Sequence, residues 1–195
     1  MAKVIGIGNQ DFEKIRMNDS FYVDKTDFIR QWWESADDVT LITRPGRFGK
    51  TLNMSMVEKF FSVEYAGRGD LFEGLNIWKD EKYRNLQGTY PVISISFASI
   101  KETNYVSARR KICQLLVDEY VRHNYLLKQD CLAEPEKDSF LRKTIDMDDV
   151  DATLAIQQLS LYLSRFYGKR TILLLDEYDT PMQEAYVNGY WRGPS

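Results

Sequence analysis

Histidine and cysteine are nearly missing from this chain, which has His123, Cys113 and Cys131 in 195 residues. Those three side chains cannot by themselves close a four-ligand zinc site. Cys113 falls on a helical apolar pattern and is expected in the core. With no secretion signal, both cysteines are expected as free thiols in the cytosol. Long apolar runs are absent too. No window approaches about eighteen consecutive apolar residues, so no membrane span is expected. The start, Met1 to Gln10, is too short and too polar for a signal peptide. An excess of one charge is also lacking: 26 Lys and Arg stand against 29 Asp and Glu, a net charge of −3. That balance gives no ground for nonspecific attraction to DNA or RNA, and no direct nucleic-acid binding is expected. No internal repeat or low-complexity tract occurs.

What is present is a globular composition, 44% apolar and 13% aromatic, at a length near the upper end of one ordinary domain. Val39-Thr40-Leu41-Ile42-Thr43 is short, apolar and β-branched, and reads as a strand. Arg44 to Gly49 follows as a loop, and Lys50 opens a helical pattern with Leu52, Met56, Val57, Phe60 and Phe61 on one face. A second strand is expected over Pro91–Phe97, then a long helix over Tyr105–Leu127. Lys128 to Asp149 is polar and reads as a surface insertion. Asp151 is the expected N-cap of the next helix, which carries Leu154, Leu159, Tyr162, Leu163 and Phe166 and ends at Gly168. Thr171-Ile172-Leu173-Leu174-Leu175 is continuously apolar, as in a strand covered on both faces. This order gives an α/β fold with a mostly parallel sheet flanked by helices. Three strands are few for that class, and the chain reads as an N-terminal piece whose further strands lie beyond Ser195.

Arg44-Pro45-Gly46-Arg47-Phe48-Gly49-Lys50-Thr51 matches the phosphate-loop pattern in its second half and departs from it at the first position, where Arg44 replaces glycine. Gly46, two positions on, eases the turn that a bulky residue resists. Gly49 lets backbone N–H groups approach phosphate oxygens with no side chain in the way. Lys50 sets a compact positive charge against the β- and γ-phosphates. Thr51 offers a hydroxyl to Mg²⁺, an ion that prefers oxygen ligands. The helix beginning at Lys50 points its positive end at the same anion. Gly46, Arg47, Phe48, Gly49, Lys50 and Thr51 are the candidate nucleotide-binding residues. Arg44 and Arg47 flank the loop within reach of phosphate, although arginines in loops are commonly solvated. A polar turn before an amphipathic helix would share the same letters. The strand expected before it and the helix after it favour phosphate binding.

The third strand ends in Asp176-Glu177-Tyr178-Asp179. Ligands of parallel sheets sit beyond the carboxyl ends of strands. There Asp176 can hold Mg²⁺ through its water, opposite Thr51, and Glu177 can orient or deprotonate the water that attacks the γ-phosphate. Carboxylates that end an apolar strand often only mark its exit into solvent, but the phosphate loop earlier in the chain favours the metal reading. Asp179 is better read as a turn residue before Thr180-Pro181. Lys50 and Glu177 are thus the candidate catalytic residues, and Thr51 and Asp176 the metal ligands.

At these residues the chain resembles the AAA-ATPase-like proteins of bacteria and anaerobic fungi, which often carry a C-terminal nuclease-like domain of the PD-(D/E)XK type. The resemblance rests on Gly6 to Arg16, Phe21-Tyr22-Val23-Asp24-Lys25-Thr26, Leu41 to Thr51, Leu71-Phe72-Glu73-Gly74-Leu75, Tyr90 to Ile93 and Leu173 to Pro181, and so covers nearly the whole chain. Arg44 is a feature of that family, whereas Gly46 stands where arginine is usual. The resemblance implies a P-loop NTPase core that uses ATP and Mg²⁺ and has a water-activating glutamate, with those roles carried onto Lys50, Thr51, Asp176 and Glu177. It also implies a sensor strand, a lid and the nuclease-like domain after the last residue here, and it leaves room for self-association. Tyr22 to Thr26 either shapes the nucleotide pocket or serves packing and capping. No Asp with a following Glu-x-Lys on a strand is found, so nuclease activity is not expected of these residues.

Three functions follow, in descending rank. The first is an ATP-hydrolysing domain coupled to an appended domain. The second is a nucleotide-gated binding module without turnover. The third is an interaction domain that uses Trp32, Trp33 and Trp191.

Overall fold

A computed structural model of the chain describes residues 8–43 and 49–191. It divides into two compact units, Met1–Val92 and Ile93–Ser195. In the first unit, α1 (Phe12–Met17) is capped by Asp11, whose carboxylate accepts from the N–H groups of Glu13 and Lys14. The helices α2 (Asp27–Ser35), α3 (Lys50–Phe61) and α4 (Glu81–Leu86) follow. Short 3-10 turns lie at Gly69–Phe72 and Asn76–Lys79. The apolar face read from Met56, Val57, Phe60 and Phe61 is buried in this unit. Phe12 stacks on Phe72 with ring centroids 5.2 Å apart, and Phe60 meets Phe72 edge-on at 5.1 Å. Pairs of this kind add specific orientation to the burial of apolar area.

The carboxyl end of α3 is closed by the chain that leads into the sheet. Gly88 and Tyr90 donate backbone N–H groups to the carbonyls of Phe60 and Phe61, each at 2.8 Å. Helix-terminal carbonyls that lack an intrahelical partner are satisfied in this way.

The strand expected at Val39–Thr43 does not form. This segment has no assigned strand, and Val39 and Leu41 are 86% and 61% exposed. Its β-branched residues suit a strand, but a strand exists only where neighbouring backbone takes up its N–H and C=O groups. Among the described residues no such ladder reaches it.

The second unit holds nearly all of β1 (Val92–Ser96), then α5 (Tyr105–Arg122), α6 (Glu134–Leu141), α7 (Asp149–Tyr167), β2 (Ile172–Asp176) and α8 (Thr180–Val187). Strands β1 and β2 pair as a small parallel sheet, which makes the chain mixed α/β. Its core gathers Ile93, Ile95, Cys113, Leu116, Tyr120, Leu159, Tyr162 and Leu163. Cys113 is buried as expected, and both cysteines are free.

Three expectations change in this unit. Asp148, and not Asp151, caps α7, its carboxylate accepting from the N–H of Asp151 at 2.7 Å. Asp151 lies inside the helix as its third residue, and its carboxylate instead receives the buried Lys143 ammonium. The polar stretch 128–149 also does more than cover the surface, since it includes α6 and sends Leu132, Phe140 and Met147 into the core. Finally, β2 is not covered on both faces. Leu173 and Leu175 are 41% and 37% exposed, while Leu174 and Asp176 are buried. A strand in a two-stranded sheet has a free edge, and here one face is open as well.

Gly88 provides a direct test of how the first unit is closed. Its φ is +69°, and a β-carbon there would stand 2.5 Å from the Cα of Ala66. Gly88→Ala should therefore cost at least about 2 kcal/mol through left-handed strain and collision with backbone, read from the midpoint of urea unfolding.

Candidate functional site

The phosphate-loop half lies in the first unit. Gly46, Arg47 and Phe48 lie outside the described residues, as do Arg44 and Pro45. Gly49 occupies the N-cap of α3 with φ +77°, a left-handed conformation that glycine adopts without side-chain strain. Lys50 and Thr51 are the first two residues of the helix, both half-buried. Gly49 offers no capping side chain, and the first turn carries no acidic residue. Most helices place a hydroxyl or carboxylate there, because the leading N–H groups have no partner within the helix. Among the described residues no side chain caps the leading N–H groups of α3, and its sequence, Gly49-Lys50-Thr51, is the one singled out above.

One side chain from elsewhere meets this end. The ammonium of Lys25 lies 3.4 Å from where a β-carbon on Gly49 would stand. Its backbone is fixed on both sides. The Lys25 N–H donates to the Tyr22 hydroxyl at 3.3 Å, and that hydroxyl donates to Sδ of Met56 on α3 at 3.2 Å. Burial pushes the Tyr22 hydroxyl up to about 12, so it keeps its proton and remains a donor. On the other side Asp24 accepts from the Thr26 N–H at 2.9 Å, the Thr26 hydroxyl at 2.7 Å and the Asn76 N–H at 2.7 Å. Partial burial opposes ionisation of Asp24. The hydrogen bonds from Thr26 and Asn76 and the nearby Lys79 charge outweigh it and hold the carboxyl below its usual range.

The acidic half lies in the second unit. Asp176 is the last residue of β2 and only 8% exposed. Its backbone carbonyl accepts from the Phe97 N–H at 2.9 Å, while its side-chain Oδ2 is buried with no hydrogen-bond partner. A buried carboxylate oxygen without a donor is costly, and such groups call for a bound ion or ordered water. Glu177 follows with φ +52°. Non-glycine residues in that region are uncommon and concentrate at functional turns. Its carbonyl accepts from the Thr180 N–H at 3.0 Å, which turns the chain into α8. Asp179 stands at the N-cap of α8 without a side-chain capping bond, and accepts instead from the Gln183 amide at 2.6 Å.

In the second unit the unpartnered carboxylate oxygen of Asp176 is a hard oxygen donor of the kind Mg²⁺ takes; in the first unit the Thr51 hydroxyl is another.

An open helix head bearing Lys-Thr and an orphaned aspartate ending a parallel strand, within an α/β chain, are features of ATPase-like domains. More particularly, the chain belongs to the family described as Predicted AAA-ATPase, whose model matches residues 6–192. It is also similar, at 29% identity over 181 residues, to the "Uncharacterized protein in vnfD 5'region" of Azotobacter chroococcum mcd 1. That match covers 92% of this chain and 30% of the relative, so the chain spans less than a third of the relative's length. No solved structure matches it at a significant level.

Several stretches that carry the family likeness prove to be braces. Arg16 donates to the carbonyls of Leu71 and Glu73, both at 2.7 Å, tying the first stretch to the Leu71–Leu75 stretch. Asp24 and Thr26 tie the second stretch, Phe21–Thr26, to Asn76 and Ile77. Single-sequence reading of periodicity has no signal for such links, because both partners are polar and more than fifty positions apart.

Asp24→Ala removes the acceptor of those bonds and should cost about 2 to 3 kcal/mol at neutral pH. Because the folded carboxyl titrates below its unfolded value, this contribution is complete above about pH 4 and disappears as pH falls through the folded value. The gap between parent and variant in a pH series of unfolding midpoints should therefore shrink on the acid side.

Proposed function

We propose that this chain is a P-loop nucleotide-binding domain that takes Mg·ATP and hydrolyses it, coupling nucleotide state to a domain appended in the whole protein. The observation that carries this reading is the buried, unpartnered Oδ2 of Asp176 at the carboxyl end of a parallel strand. The open N-terminus of α3 supports it, with Lys50 and Thr51 in place and no side-chain cap.

In this reading the leading N–H groups of α3 and the Lys50 ammonium bind the β- and γ-phosphates, with Gly46, Arg47, Phe48 and Gly49 completing the loop. Thr51 and Asp176 hold Mg²⁺, which when bound neutralises charge developing on the phosphates. Glu177 accepts a proton from the attacking water, or orients it, as the bond to the γ-phosphoryl group breaks. The left-handed backbone at Glu177 supports this role, since non-glycine residues held in that region concentrate at functional turns.

Lys50→Ala should lose at least about tenfold in affinity for Mg·ATP by isothermal titration, the scale of a charge-assisted contact. Parent-like binding by that variant would remove the phosphate-loop assignment. Glu177→Gln should keep binding while phosphate release falls about 100-fold or more. If the parent binds Mg·ATP yet releases no phosphate, hydrolysis gives way to a nucleotide-gated switch.

A further inference from the structure

We propose that Lys25 is a second phosphate-binding lysine, acting on the same anion as Lys50 and the head of α3; this rests on the phosphate-loop reading above. The stretch Phe21–Thr26 belongs to the family likeness, but neither the proposed chemistry nor the expected Mg²⁺ ligands make use of it.

The inference comes from an electrostatic imbalance. A helix N-terminus carries a partial positive charge, so cations are disfavoured there and acidic residues are the usual neighbours. At α3 the reverse holds. The first turn has no acidic residue and the N-cap no capping side chain, yet the Lys25 ammonium is brought against Gly49. Among the described residues no carboxylate lies within ion-pairing distance of Lys25. The residues outside that set, 1–7, 44–48 and 192–195, include no Asp or Glu. Asp24, its neighbour in sequence, turns its oxygens to Thr26 and Asn76 instead.

Nor is Lys25 there by default. A solvated lysine on a loose loop could drift from the helix end, but this backbone is pinned. Tyr22 reaches Met56 on α3 itself, the buried Thr26 receives the Ile77 N–H on its hydroxyl at 3.1 Å, and the Lys25 carbonyl accepts from the Phe28 N–H at 3.0 Å as α2 begins. The half-buried side chain is thus held where its charge opposes the helix dipole. An anion at the head of α3 reverses the sign of that interaction. A polyphosphate has enough oxygens to receive Lys25, Lys50 and the leading N–H groups together.

The test compares Lys25→Gln and Lys25→Arg with Lys50→Ala in the intact protein. It uses Mg·ATP and inorganic tripolyphosphate as probes, with unliganded unfolding midpoints measured alongside. Lys25→Gln should weaken both probes by about 10- to 100-fold, the range for a charge-assisted contact. Lys25→Arg should restore most of that loss. The unliganded midpoint of Lys25→Gln should stay level or rise, because an unfavourable charge has gone. A lysine with a structural role would lower it.

Three results overturn the inference. Lys25→Gln could bind both probes as the parent does while Lys50→Ala does not, which leaves the phosphate loop standing without Lys25. A fall in the unliganded midpoint that Lys25→Arg fails to rescue would make the residue structural. If the parent binds neither probe, the phosphate-loop reading falls first and Lys25 falls with it.

Discussion

The leading N–H groups of α3 have no acceptor in their own helix, and among the described residues no capping side chain supplies one. Most of the first unit is organised around keeping that helix in place. Its apolar face is locked by Phe12, Phe72 and Tyr22, and its last carbonyls are closed by Gly88 and Tyr90. The helix is thereby satisfied at one end, while among the described residues no side chain caps the other. Such an asymmetry is expensive in a region that is not fully solvated, unless something outside the chain completes it. Gly49 makes it sterically feasible, since its left-handed φ brings backbone alone to the helix head.

A comparable asymmetry appears in the second unit at the end of β2. The strand delivers Asp176 into a buried position, engages its backbone carbonyl in the sheet and leaves one carboxylate oxygen without a donor. The chain then reverses through a left-handed Glu177 and enters α8. Packing alone would favour an apolar side chain at a position 8% exposed. A carboxyl oxygen that is buried and unpaired costs stability, and it is on this that the proposed metal role of Asp176 rests. Both halves thus share one property, polar groups fixed by the fold and left without partners, of opposite sign in the two places.

How much of this was legible in the sequence depends on the range of the cause. Gly49 as a helix boundary, Lys50 as the start of α3 and Gly168 as the end of α7 are local effects, and they were readable from a few residues. So was β2 and its acidic end, because a continuous apolar run stopping at Asp176 has few other meanings. The segment Val39–Thr43 was misread for the opposite reason. Its composition suits a strand, but strand formation is decided by what lies alongside, which no local window contains. The cap of α7 shows a finer limit. Asp148 and Asp151 are the same residue type three positions apart, and local sequence does not tell which of them stands at the boundary and which, inside the helix, meets Lys143. The 128–149 stretch looked superficial because its charges outnumber its apolar residues, yet three of the few it has fill the core.

Lys25 marks where residue type stops being informative. In the sequence it is one of 26 basic residues, with an aspartate before it and a threonine after it that look able to account for its charge. In the folded unit those two neighbours are bonded to each other and to the Asn76–Lys79 turn. Their mutual satisfaction leaves the lysine without a carboxylate partner among the described residues, and the same bonds hold its backbone in place. The braces in the Phe21–Thr26 and Leu71–Leu75 stretches therefore do two things at once. They stabilise the first unit, and they fix a positive charge where a helix by itself would exclude one. A chain selected for stability alone would have little reason to keep that charge at the head of α3, whereas a chain that must bind a polyanion there would.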